Sequence, residues 1–201
     1  MTTTRTRAVL VALTATAALA LTACGGNDDT TNGAPTATSA PATATAGAHN
    51  AQDVSFAQGM IPHHQQALEM AELAADRASS AQVKDLATRI EKAQDPEINT
   101  MTGWLKAWGE DVPMAGMDHS GHAGMAGMMS DKDMTALKKA QGADFDTMFL
   151  TMMVQHHQGA VEMAGTEKSK GDYAPATSLA DAIVTAQNAE IKEMNKLLDK
   201  G

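Results

Sequence analysis

The residues with the most chemistry to offer are histidines and methionines. The chain holds 7 His and 15 Met in 201 residues, and they are not scattered. Four of the histidines stand as two adjacent pairs, His63-His64 and His156-His157. Met60 and Met153 precede these pairs by three positions, and Met70 and Met163 follow them. On a helix a residue and its third successor share a face, so each Met–His couple points the same way. Neutral imidazole suits copper, and a thioether moves the preference from hard cations to soft ions such as Cu(I) and Ag(I). A Met at helical spacing is equally a core filler, an alternative that stays open for Met70 and Met163. A third concentration of soft donors, Met114, Met117, His119, His122, Met125 and Met128, lies in residues 113–130 among Gly, Ala, Ser and Asp. Its glycines resist a helix and no apolar stripe accompanies it, so it reads as a flexible, metal-gathering loop.

The elements that must position these donors come in two copies. Met60-Ile61-Pro62-His63-His64-Gln65-Gln66-Ala67-Leu68-Glu69-Met70-Ala71 recurs ninety-three residues later as Met153 to Ala164. The same offset runs without a gap from Asp53/Asp146 to Leu105/Leu198 with about twenty identities, enough to mark a duplication. Aromatics are 3% and apolar residues recur at a 3.6 spacing, so the class is all-α. In the first copy one helix begins near Asp53, a cap or first-turn acid, and carries Phe56, Met60, His63, His64, Ala67, Met70 and Ala71 on one arc. Phase is kept across Pro62, which predicts a kink rather than a new start. A second helix places Leu86, Ala87, Ile90, Ala93, Gln94, Glu97, Ile98, Met101 and Leu105 inward. The later copy repeats this with a helix from Asp146 and a last one bearing Leu179, Ala180, Ile183, Ala186, Gln187, Glu190, Ile191, Met194 and Leu198. A short helix from 131 to 140, stopped by Gly142, lies between. Each hairpin alone leaves an apolar face uncovered, and two together make a four-helix bundle with approximate two-fold symmetry.

Glu97 and Glu190 fall inside the apolar arcs, where a carboxylate needs a partner. Adjacent histidines diverge by about 100° on a helix, so both of a pair cannot reach one centre. One can ligate while its neighbour is hydrogen-bonded and oriented by Glu97 or Glu190. Di-metal carboxylate bundles use Glu-x-x-His on two helices and a lone Glu on each of the others. Here the lone Glu are present, but Met60 and Met153 stand where the Glu of Glu-x-x-His belongs. That exchange points to copper, with Cu(I) preferred and Ag(I) an alternative. Because imidazole must be neutral to ligate, affinity is expected to fall as pH drops through about 6.

The doubled Asp-x-x-Phe-x-x-x-Met-x-x-His-His-x-x-Ala-x-Glu-Met-Ala, with a Met-rich segment between, resembles the domain-of-unknown-function 305 family. The resemblance covers residues 53–200. It implies a ferritin-like helical fold, an extracytoplasmic location and, for Met60, His63, His64, Met153, His156 and His157, a role in binding copper or silver.

The remaining chain bounds the setting. Arg5 and Arg7 precede an apolar run from Ala8 to Leu21, too short for a comfortable span, which reads as a signal peptide over residues 1–23. Leu21-Thr22-Ala23-Cys24 resembles a lipobox, so Cys24 is the expected lipidation site and the membrane a partner through that anchor. It is the only cysteine, which excludes an intramolecular disulfide and a thiolate cluster. Residues 24–50 are a Thr/Ala/Pro-rich tether without periodicity, and 51–201 form the bundle domain. The formal charge of -9 disfavours nucleic acid and favours cations. No nucleophilic triad or phosphate-binding glycine loop is present. The leading expectation is therefore a lipid-anchored extracytoplasmic protein that sequesters copper or hands it to a partner protein, without catalysis. The rivals are a ferritin-like di-metal oxidoreductase and a structural or interaction module whose histidines are polar core groups.

Overall fold

A computed structural model describes residues 47–113 and 125–199. Helix α1 (Ala51–Glu72) opens on Asn50, whose side chain accepts from the backbone N–H groups of Gln52 and Asp53 while Asp53 accepts from that of Asn50. This capping box puts Asp53 in the first turn and gives the cap itself to Asn50. The helix runs through Pro62 without a break, as the phase of Phe56 and Met60 requires. A single turn not foreseen from the sequence, α2 (Ala74–Arg77), leads to α3 (Ala81–Trp108). Ser80 caps the start of α3, and Gly109 ends it in the left-handed region at φ 76.

Helix α4 (Asp131–Lys139) has its own capping box from Ser130 and Asp133 and buries Met134 and Leu137. Helix α5 (Gly142–Lys170) is longer than its mate α1, and α6 (Ala174–Leu198) begins with Pro175 in its first turn. Gly142 thus opens α5 at φ 63 instead of stopping α4, and α5 starts ahead of Asp146.

The acids that begin the two copies do related work. Asp53 accepts from the backbone N–H of Asp172 at 3.2 Å and of Tyr173 at 3.0 Å. Asp146 accepts from the N–H of Ser79 at 3.2 Å and of Ser80 at 2.9 Å, and from the Ser79 hydroxyl at 2.5 Å. Under the repeat offset Ser79 and Ser80 are the mates of Asp172 and Tyr173. Each half therefore satisfies the turn N–H groups of the other half's hairpin.

Helix α3 lies along α1, α6 along α5, and the two hairpins join through α1 and α5. Phe56, Met60, Met101, Ala160, Ala164 and Ile183 share one apolar cluster, while Ala67, Met70, Ile90, Phe149 and Met153 share another. The first half of α1 thus shares a cluster with the second half of α5, and the reverse holds for the other cluster, so α1 and α5 are antiparallel. The His-His pairs fall on both helices between these clusters. Ala93 and Ala186 were expected to face inward but are exposed, because the outer helices bury only a narrow stripe that includes Ile90 and Gln94, or Ile183 and Gln187. Gly47 to Asn50, expected to belong to the tether, lie on the bundle. The His49 ring stacks on Trp108 with centroids 4.4 Å apart.

Candidate metal centre

The layer between the two apolar clusters is polar and closed to solvent. His63, His64, His156 and His157 are each 0% exposed, and Gln94 and Gln187 are buried beside them on α3 and α6. The rings of His63 and His156 meet across the α1–α5 seam with centroids 3.7 Å apart. Nε2 of His63 donates to the carbonyl of Ala126 at 3.2 Å, so its Nδ1 carries a lone pair, and that atom has no protein partner. Neither ring nitrogen of His156 has one. The Gln94 amide and the Gln187 carbonyl are likewise unpartnered. Each such buried atom costs about 1–3 kcal/mol. A cluster of them on one layer calls for a partner from outside the chain.

The second histidine of each pair is held differently. Nε2 of His64 lies 2.7 Å from Oε2 of Glu97, and Nε2 of His157 lies 2.7 Å from Oε2 of Glu190. A carboxylate accepts, so Nε2 carries the proton, and Nδ1 of each ring has no protein partner. Glu97 and Glu190 are thus partnered and only partly buried, and their helices hold them at the same distance in both halves.

Burial also sets the charge state. It pushes the His63 imidazole down to about 3, helped by the neighbouring His64, and it holds His156 well below the usual histidine range, helped by His63. The expectation that affinity falls through pH 6 is therefore corrected for these two rings: they are already neutral there.

Met60 and Met153 are fully buried one turn before His63 and His156. Met70 is buried in the apolar cluster below, while its mate Met163 is only partly buried. Met125 and Met128 are partly buried, and Met114, Met117, His119, His122 and Cys24 lie outside the described residues. The loop was expected to lack packing, but its described end does not. Met129 is 9% exposed, and the Gln66 side chain grips its backbone, Nε2 donating to the Met129 carbonyl at 2.9 Å and Oε1 accepting from its N–H at 2.7 Å. Gln66 and its mate Gly159 were not singled out from the sequence. The available signal was a break in the repeat two residues after each histidine pair. Among the described residues no three His, Cys, Asp or Glu side chains are grouped to hold a metal.

Against this geometry, the model of the family described as Domain of unknown function (DUF305) matches residues 53–198. The chain belongs to the DUF305 family. A DUF305 protein of Streptomyces coelicolor, named as a secreted protein, is 32% identical, with a TM-score of 0.68 over 74% of this chain and 93% of that one. A DUF305 fragment from Deinococcus radiodurans is also 32% identical, with a TM-score of 0.68 over 76% and 98% of the two chains. CopM in its Cu(II)-bound form is 38% identical, with a TM-score of 0.65 over 74% and 96%. CopM has also been solved with Cu(I) and with Ag bound. Comparison with curated proteins gave no match.

Proposed function

We propose that this DUF305 protein is an extracytoplasmic copper-binding protein, held to the membrane through Cys24, that takes Cu(I) or Ag(I) as cargo and stores it or passes it on without catalysis. The observation that carries the reading is the facing His63–His156 pair, whose nitrogens include three with no protein partner. Neutral imidazoles and the nearby thioethers of Met60 and Met153 form a soft donor set. CopM, a relative at 38% identity, supports the choice of ion because it has been solved with copper and with silver. The secreted relative supports the location, and no helix among the described residues is long and apolar enough to cross a membrane. A di-metal oxidoreductase is the weaker reading, since Glu97 and Glu190, the carboxylates such a centre would use, are engaged by His64 and His157.

The test is Ag(I) and Cu(I) binding, against a competing chelator, to the protein from Gly25 onward and to a variant with His63, His64, His156 and His157 changed to Ala. Loss of the tightest site is expected. Unchanged affinity and stoichiometry would sink the bundle centre, and deletion of residues 114–124 separates any contribution of the loop.

A further inference from the structure

The two halves of the chain part company at three places that fall on one patch beside the histidine layer. Gly59 stands where the second half has Met152, and Gly159 stands where the first half has Gln66. Met163 is only partly buried, whereas its mate Met70 is 0% exposed. Without a side chain at position 59, the surface of α1 is open, and two sulfurs occupy the opening. A Cβ on Gly59 would lie 3.6 Å from Sδ of Met163 and 3.7 Å from Sδ of Met125.

Met125 reaches this position because the segment it begins is docked. Gln66 holds Met129 by both backbone groups. Gly159 lets the segment touch α5, since a Cβ there would fall 1.9 Å from the Ala126 carbonyl oxygen. Gly127 turns the chain at φ 82, against α5. A bundle made of two second halves would lack the space at 59 and the grip at 66, and one made of two first halves would lack the space at 159. The carbonyl of Ala126, next in sequence to Met125, accepts from Nε2 of His63.

We propose that Met125 and Met163 form an outer site, a two-thioether seat over Gly59 for a monovalent soft ion, from which the ion passes to His63 and His156. This rests on the reading of the histidine layer as the copper centre. Met163 packs against the edge of one apolar cluster, yet neither residue is sealed in the core: both keep solvent contact while Met60, Met70 and Met153 are fully buried. Thioethers are neutral and soft, so the seat binds Cu(I) or Ag(I), ions that accept few ligands, and passes over hard divalent cations. Nε2 of His63 keeps its proton on the Ala126 carbonyl and the ion is taken at the free Nδ1, so the segment that presents Met125 also fixes the tautomer of the inner histidine.

Two variants of the protein from Gly25 onward test this. In one, Met125→Leu and Met163→Leu are combined, which keeps apolar volume. In the other, Gly59→Leu fills the space the sulfurs share and removes no donor. Ag(I) is titrated against a chelator, its loading is followed by stopped flow, and the imidazole ¹⁵N resonances are recorded at saturation. Both variants are expected to lose one equivalent of Ag(I) and to load the histidines more slowly by about tenfold, with His63 and His156 shifted at saturation as in the wild type. Unchanged stoichiometry and loading rate in the double Leu variant would overturn the outer site and leave the histidine centre standing. Wild-type protein that binds Ag(I) through the two methionines, with His63 and His156 unshifted, would instead overturn the histidine centre and the transfer with it.

Discussion

His63 and His156 are repeat mates that meet face to face, 3.7 Å apart at their centroids, at the centre of the bundle. Two imidazolium rings could not share that space. The contact exists because burial keeps both rings neutral, and it leaves Nδ1 of His63 and both nitrogens of His156 without partners.

A polar group retained without a partner should be costly to the apo protein. His156→Leu is therefore expected to raise the apo stability by about 1–3 kcal/mol, the usual cost of an unsatisfied buried group, while abolishing thermal stabilisation by Ag(I). Urea denaturation with and without the ion checks both halves of the statement. A destabilised apo variant would favour the rival in which the histidines are structural.

The His63 imidazole, pushed down to about 3 from an unfolded value near 6.5, makes a pH prediction with a definite sign. The unfolded chain binds the proton first as pH falls, so this group's contribution is complete above about 6.5 and is lost progressively toward 3. Proton NMR of the ring should show no titration of His63 between pH 8 and pH 5 in the folded apo protein. A midpoint near 6.5 would contradict the buried, neutral ring.

Glu167 produces the opposite slope. It is 0% exposed beside the Asp53 carboxylate, and burial followed by that neighbour pushes its carboxyl up to about 8. Burial pushes Asp53 upward too, but hydrogen bonds from the backbone N–H groups of Asn50, Tyr173 and Asp172 outweigh it and hold it low. A raised folded value means that the contribution of Glu167 is complete below about 4.5 and is lost as pH rises through about 8. The melting temperature should fall between about pH 4.5 and pH 8, and Glu167→Gln should flatten that limb. An identical limb in the variant would assign it to another group.

Gly159→Ala tests the docking of the methionine-bearing segment. The new methyl group meets the Ala126 carbonyl, so the segment must leave α5 and the Gln66 bonds to Met129 are strained or lost. Hydrogen exchange at the Met129 amide is expected to accelerate well beyond any change in the α1 core, and global stability to fall by about 1–3 kcal/mol. Unaltered protection at Met129 would show that the segment does not depend on that glycine.

The four long helices were legible because Phe56, Met60, Ala67 and Met70 keep a 3.6 period that Phe149, Met153, Ala160 and Met163 repeat. His64–Glu97 and His157–Glu190 were within reach for the same reason, as each pair lies inside one hairpin and recurs in the other. Asp53 and Asp146 were read as local start signals, yet their partners lie across the duplication, a relation no local window contains. The docked segment was hidden more deeply. Its grip depends on Gln66 and Gly159, which look like a lapse in the repeat until the chain from the middle of the sequence is laid over them. The protonation of His63 was misjudged because neutrality there follows from the depth of burial, which composition and spacing do not encode.

The central claim is that the histidine layer binds a soft ion, and imidazole ¹⁵N NMR of the protein from Gly25 onward, titrated with Ag(I), tests it most directly. Large shifts of nitrogens in His63 and His156, saturating with the first tight equivalents, are predicted. Shifts confined to His119 and His122, with His63 and His156 unmoved at saturation, would contradict it.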